Sequence, residues 1–186
     1  MNLKINKILD FWFVETSAEQ KFKKNFKFDQ VIKDRFLNDY ELASQNKLDD
    51  WQGTDRGCLA LIILLDQFSR NLFRESGKAF EQDEKSRLVL LKIIANNFLD
   101  TMNESERLFA LLPFIHSENI LDHEKAYVLM EKYLKNHSEL DKIKNFWLDH
   151  TTAIKRFGRY PHRNKVLNRE SSNDEIKFLK SPNSSW

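Results

Sequence analysis

The stretch Thr54-Asp55-Arg56-Gly57-Cys58-Leu59-Ala60-Leu61-Ile62-Ile63-Leu64-Leu65-Asp66-Gln67-Phe68-Ser69-Arg70-Asn71-Leu72-Phe73-Arg74 decides the fold class. Cys58 to Leu65 is an unbroken run of eight apolar residues. Such a run fits a buried strand or the all-apolar half of a central helix. The 3.6-residue pattern continues beyond the run and no partner strands are visible elsewhere, so the spacing predicts a helix from about Gly57 to Phe73, preceded by Thr54. A helix apolar all round belongs at the centre of a domain. Eight residues fall far short of a membrane span.

Helical spacing recurs on both sides. Ile5, Ile8, Leu9 and Trp12 share one face of a first helix, and Ser17 is placed to cap a short second one. Asp29 is expected to open a third, with Ile32, Phe36, Tyr40 and Ala43 as its stripe and Asn46 as its stop. Beyond Gly77, the residues Phe80, Glu84, Leu88, Leu91, Ala95 and Phe98 trace another stripe. A short helix should end near Pro113, which leaves His116 on a turn. Ile120 to Asn136 follows, with His123, Tyr127, Met130 and Leu134 in line. Ser138 then caps a helix to Gly158 with Ile143, Trp147, His150, Ile154 and Phe157 on one side. Ser172-Asn173-Asp174-Glu175 has capping-box spacing. Four glycines and three prolines in 186 residues agree with long helices and short turns. The expected fold is therefore all-α: about nine helices in antiparallel hairpins, as a tetratricopeptide-like superhelix or a compact bundle, in a single domain over residues 1–186. The tail from Ser181 should fray unless Trp186 docks.

Thirty basic and 28 acidic residues give a net charge of +2, so neither nucleic acid nor a membrane is an expected partner. The single cysteine, Cys58, excludes a disulfide framework and a thiolate zinc finger, and its apolar setting reads as packing. A reducing cytoplasmic setting is expected. The first residues, Met1 to Lys7, show neither an h-region nor a cleavage site. No Gly-rich phosphate loop, dinucleotide fingerprint or GxSxG occurs, and no cofactor is expected.

Lysines are scattered, but six of the ten arginines fall in two segments: Arg70 and Arg74, then Arg156, Arg159, Arg163 and Arg169. Clustered guanidinium suits two-pronged recognition of carboxylate or phosphate, in the chain itself or in a ligand. Asp66, Arg70 and Arg74 are successive i, i+4 neighbours. They form either an internal ion pair that fixes packing or a device that orients Arg70 toward a pocket. In the second segment no acid occurs between Asp149 and Glu170, a span of 20 residues with six Lys or Arg and two His. Gly158 and Pro161 break the helix there and put Arg159, His162 and Arg163 on a loop, as an anion clamp or as cement against Asp66, Asp83 or Glu118. His150 on its helix stripe reads most simply as a hydrogen-bonded core residue. A metal could in principle use His116, Glu118, His150 and His162, but no H-E-x-x-H or comparable spacing exists, and no metal is expected.

The strings Ile8-Leu9-Asp10-Phe11-Trp12-Phe13, Leu59 to Asn71, Pro113-Phe114-Ile115-His116-Ser117-Glu118 and Phe157-Gly158-Arg159-Tyr160-Pro161-His162-Arg163-Asn164 resemble the bacterial "domain of unknown function 924" family over nearly the whole chain. The resemblance implies an all-helical fold grouped with tetratricopeptide-like superhelices, and no established activity. Asp66, Arg70, Asn71, Asp83, His116, Glu118, His150, Arg159, His162, Arg163, Asn164 and Arg169 match its motifs. Lys21, Asn46, Ser69 and Asn168 stand where the family usually has Trp, Gly, Pro and Gly; Asn tolerates the left-handed conformation that Gly supplies.

Three functions are expected as alternatives. A pocket could bind, and hydrolyse, a small phosphorylated or carboxylated ligand. Asp66, Arg70, Asn71, Arg159, Arg163 and Asn164 would contact it, with His116, Glu118, His150 and His162 as candidates for proton transfer. A tetratricopeptide-like adaptor could instead hold an acidic peptide in its groove. Or the polar residues could be a buried network that only specifies packing. Whether the chain is an enzyme, and its oligomeric state, are left open by the sequence.

Overall fold

A computed structural model describes residues 3–185; Met1, Asn2 and Trp186 lie outside the described residues, and with them the expected docking of Trp186. Among the described residues the secondary structure is all-α, with no strand. The helices are α1 (Leu3–Asp10), α2 (Ala18–Phe22), α3 (Phe26–Ser44), α4 (Asp55–Ile62), α5 (Ser69–Leu72), α6 (Asp83–Ala95), α7 (Glu104–His116), α8 (Ile120–Tyr133), α9 (Leu140–Phe157) and α10 (Asn173–Phe178). Short 3-10 and π turns join them. The chain divides into two compact units. One runs to Arg74 and resumes over Lys78–Pro113; the other comprises Glu75–Gly77 and the chain from Phe114 onward.

In the first unit the deciding stretch is central. Cys58 through Leu65 are all fully buried. Thr54 caps the start of α4 by accepting from the Gly57 amide at 3.1 Å. The expected single helix is interrupted: residues Ile63–Phe68 wind as a π-helical turn before α5. α4 packs on α1 and α6, and α3 packs on α5 and on the π turn. Phe11, Trp12, Phe28, Phe36, Phe68 and Phe109 interlock with ring centroids 4.9–6.5 Å apart. Each such buried side chain contributes about 1.5–3 kcal/mol of hydrophobic stabilisation.

Several boundaries differ from the sequence expectation. α3 starts three residues before Asp29, because Asn25 caps it by accepting from Lys27 and Phe28. α6 buries Ser86, Val89, Leu90 and Ile93, and leaves Leu88 54% exposed, so the predicted stripe was on the wrong side. Pro113 does not end α7; the helix runs on to His116. α8 ends at Tyr133, and α9 starts at Leu140 with no side-chain cap, so Ser138 does not cap it.

In the second unit α8 packs on α9. α9 ends on Gly158, whose φ of 67° is left-handed and whose amide donates to Ile154. That turn swings Tyr160 back against Ala153 and Ile154, with Ile120 and Phe178 packed beside them. Ser172 and Glu175 make the anticipated capping box on α10. Asn46 and Asn168 take φ values of 65° and 53°, as expected of asparagine in place of glycine.

Candidate functional site

The predicted polar residues fall into two groups, one in each unit. In the first, Asp66 lies fully buried in the π turn. Its carboxylate accepts from Gln67 Nε2 at 2.6 Å and stands 3.3 Å from Arg70 Nη1, which also donates to the Asp66 carbonyl. Arg70 Nη2 reaches Asp83 at 3.1 Å. Asn71 and Arg74 turn instead to Asp29: Asn71 Nδ2 donates at 2.8 Å and Arg74 binds through Nε and Nη2. The internal pair expected between Asp66 and Arg70 is present, while Arg74 leaves that row for α3. The extra backbone residue of a π turn redirects the helix after it, and such turns are frequent at functional sites.

The second group is built around Tyr160, which is fully buried. Glu118 anchors it. Its Oε1 accepts from the Tyr160 amide at 2.8 Å and from Arg169 Nη2 at 2.9 Å, and its Oε2 accepts from Arg169 Nη1 at 2.6 Å. Arg169 also donates to the Tyr160 carbonyl and to Asn164 Oδ1. The Tyr160 hydroxyl donates to the Ile115 carbonyl. Arg169, which takes the Tyr160 carbonyl, and Glu118, which takes the Tyr160 amide, together hold that residue's backbone in register with the turn after α7. Burial opposes the charge on Glu118, but the Arg169 guanidinium and the Tyr160 amide outweigh it, with Arg163 adding to them, and hold the carboxyl below its ordinary value. Arg159 is gripped by Glu175 through Nε (2.7 Å) and Nη2 (2.9 Å). That guanidinium, against the opposing effect of burial and with help from the Ser172 amide, brings the Glu175 carboxyl down to about 2.

Four histidines and Arg163 surround this frame. The rings of His162, His150 and His123 lie 5.5, 5.7 and 6.4 Å from that of Tyr160, and His116 lies 6.1 Å from His150. The Arg163 guanidinium sits 4.6 Å from the Tyr160 ring centre and donates to the His116 carbonyl at 3.0 Å. His150 Nδ1 is 2.8 Å from the Phe146 carbonyl, so that nitrogen carries the proton and the lone pair is on Nε2. Burial, then the field of His116, pushes the His150 pKa well below its ordinary value, against the pull of the Phe146 carbonyl; His162 and His123 push the same way. His123 lies between the Ser117 carbonyl and Thr151 Oγ1, each 2.9 Å away, and burial lowers it too. Both are neutral imidazoles near neutral pH. Among the described residues no group of three His, Cys, Asp or Glu is placed to hold a metal ion.

The structure brings His116, Glu118, His150, Arg159, His162, Arg163 and Asn164 into the second unit's network, and Asp66, Arg70 and Asn71 into the first unit's. Sequence reasoning passed over Asp29, Tyr160 as the centre, His123 as a member, and Glu175 as a partner. Glu175 was visible only as a capping residue, because its second role depends on where the loop after Gly158 returns. Tyr160 stands in the sequence only as one residue of the Phe157 to Asn164 string, although its place between Gly158 and Pro161 fixes it to a turn.

The family described as "Bacterial protein of unknown function (DUF924)" matches residues 8–183. None of the curated proteins matches. A solved structure of a protein of unknown function from Agrobacterium tumefaciens is similar at 32% identity, with a TM-score of 0.85, over 95% of this chain and 97% of that one. The chain belongs to the DUF924 family.

Proposed function

We propose that this member of the DUF924 family binds a small phosphorylated or carboxylated molecule at the basic cluster built on Tyr160. The observation that carries this reading is the convergence of His123, His150, His162 and Arg163 around the buried Tyr160 ring, with His116 beside His150. Groups that can all carry positive charge disfavour one another's protonation, and an anion among them would reverse that cost. Arg163 and His162 would meet the anion. His150, neutral and with its lone pair on Nε2, has the form a proton acceptor needs, so hydrolysis of the bound molecule is the reaction class the arrangement suits. Glu118, Arg169, Arg159 and Asn164 hold the frame.

The forked pairs Arg169–Glu118 and Arg159–Glu175 favour a second role for that frame, specifying how the loop after α9 packs. The two roles separate in one experiment. A thermal-shift panel of phosphorylated and carboxylated metabolites, with inorganic phosphate and citrate, should include a compound that raises the melting temperature in proportion to the logarithm of its concentration. His162→Gln should abolish that rise while leaving the unliganded melting temperature within about 2 °C. No rise with any compound, or a rise unchanged in both His162→Gln and Arg163→Lys, overturns the proposal.

A further inference from the structure

The whole-chain balance of +2 conceals an uneven surface in the first unit. Lys21-Phe22-Lys23-Lys24-Asn25-Phe26-Lys27 carries four lysines and no acid. The segment is a corner of fixed shape. Ser17 and Gln20 close a capping box at the start of α2, and Asn25 caps α3, so only Lys23 to Asn25 connect the two helices. Phe22 closes one side of the corner and Phe26 opens the other. They are 59% and 68% exposed. Phe22 stacks on Phe109 at 6.1 Å, and Lys24 Nζ lies 4.8 Å from the Phe26 ring centre. A surface depression of about 320 Å³ beside the corner is lined by Thr16, Gln20, Asn25, Lys27 and Val31 (42% exposed), together with the Glu15–Arg35 pair, and Val14 (78% exposed) precedes Glu15 in the chain. Of the ten large apolar side chains exposed among the described residues, these four fall within eighteen positions, and they include both exposed phenylalanines.

We propose that the corner between α2 and α3, with Phe22 and Phe26 at its sides and Lys23, Lys24 and Lys27 around them, docks on an anionic lipid bilayer. Lys23 would exchange its exposed pair with Glu19 for headgroups, and the Lys21 ammonium stays over the Trp12, Phe13 and Phe109 rings. Two features choose a bilayer over a nucleic acid. Every cation in the segment is a lysine, whose flexible stem lies along apolar surface while its ammonium stays among headgroups; none is an arginine suited to forked contacts with bases. Val14 and Val31 have no π face on which a base could stack, but they add apolar area that acyl chains can cover. The attachment would be peripheral, since no described helix is long and apolar enough to cross a membrane. It is independent of the Tyr160 cluster, which lies in the other unit.

Sedimentation of the full chain with vesicles tests this. Binding to phosphatidylserine–phosphatidylcholine vesicles is expected, with little to phosphatidylcholine alone and a steep loss with added salt. Phe22→Ser/Phe26→Ser should weaken binding at least about tenfold, and Lys23→Gln/Lys24→Gln by up to about 25-fold, at roughly fivefold per lysine. Lys23 and Lys24 are at the surface, so the melting temperature of that pair should hold; Phe22→Ser also loses the stack on Phe109, so Phe26→Ser alone is the apolar variant that should weaken binding at an unchanged melting temperature. Val128→Ser, an exposed apolar site elsewhere (71%), should change nothing. The proposal is overturned by absence of binding, by equal binding to neutral vesicles, or by binding indifferent to Phe22→Ser/Phe26→Ser. Self-association through the corner without lipid, or binding of a single-stranded oligonucleotide in place of vesicles, overturns it as well.

Discussion

Replacing Glu118 by alanine removes the anchor of the Tyr160 loop, and its cost can be worked from the contacts. Three hydrogen bonds to a charged acceptor disappear, two from Arg169 and one from the Tyr160 amide. Each such bond contributes about 1.5–3 kcal/mol when well shielded. The Glu118 and Arg169 side chains are 28% and 23% exposed, so water recovers part of the ion pair, and Arg169 keeps the Tyr160 carbonyl and Asn164. The Tyr160 amide, on a fully buried residue, is left with nothing in place of the carboxylate. The sum is about 3 kcal/mol, near the lower end for breaking a shielded pair. For a chain of this length that lowers the melting temperature by roughly 6–12 °C. Glu118→Gln keeps an acceptor for the amide and should cost about 1 kcal/mol. The folded-state pKa of Glu118 is depressed, so its stabilisation is complete above the unfolded value of about 4.3 and is lost as the pH falls through the folded value. Melting curves of wild type and Glu118→Gln should therefore converge in acid. Glu118→Ala melting within about 2 °C of wild type at neutral pH would refute the reasoning.

Gly57→Ala should destabilise by about 3 kcal/mol or more, because a Cβ would meet the Trp51 carbonyl oxygen at 2.0 Å, whereas Gly53→Ala, with open space around it, should be neutral or slightly stabilising in denaturant titrations. Cys58, buried and with its thiol pushed up to about 11 by burial, should react with a thiol reagent only after unfolding; rapid modification of the native chain contradicts this. His150 should keep a neutral imidazole resonance as the pH falls through the ordinary histidine value of about 6.5, since burial and His116 depress its pKa against the pull of the Phe146 carbonyl. The stability linked to that shift is present above the unfolded value of about 6.5 and is lost as the pH falls below it, so a His150 midpoint near 6.5 would count against the described packing.

The class of the fold was legible because Cys58 to Leu65 is too apolar for anything but the centre, and because Ser17, Thr54 and Ser172 act locally. A cap depends on its own turn, so sequence suffices. Errors arose where tertiary contact overrides local preference. The α6 stripe read as Leu88 and Leu91 because leucine is apolar, but the face against α4 carries Ser86, Val89 and Ile93. Pro113 removes one donor and crowds the carbonyl four residues back, yet Phe114 and Ile115, both fully buried, lie in the helix beyond it. In the candidate site, residue types were legible and partners were not. Arg169 finding Glu118 and Arg159 finding Glu175 depend on the turn at Gly158, which no spacing rule supplies. The lysine–phenylalanine corner was open to view at Lys21 to Lys27, but the whole-chain charge balance averages it away.

Nitrogen-15 histidine spectra recorded while inorganic phosphate, and then the strongest compound from the thermal-shift panel, is added measure the basic cluster directly. Resonances of His116 and His162 should move together toward the protonated form at fixed pH, while that of His150 stays neutral and that of His137, half-buried in the loop before α9, stays still. Shifts absent from both His116 and His162, or shared equally by His137, would contradict an anion site at Tyr160.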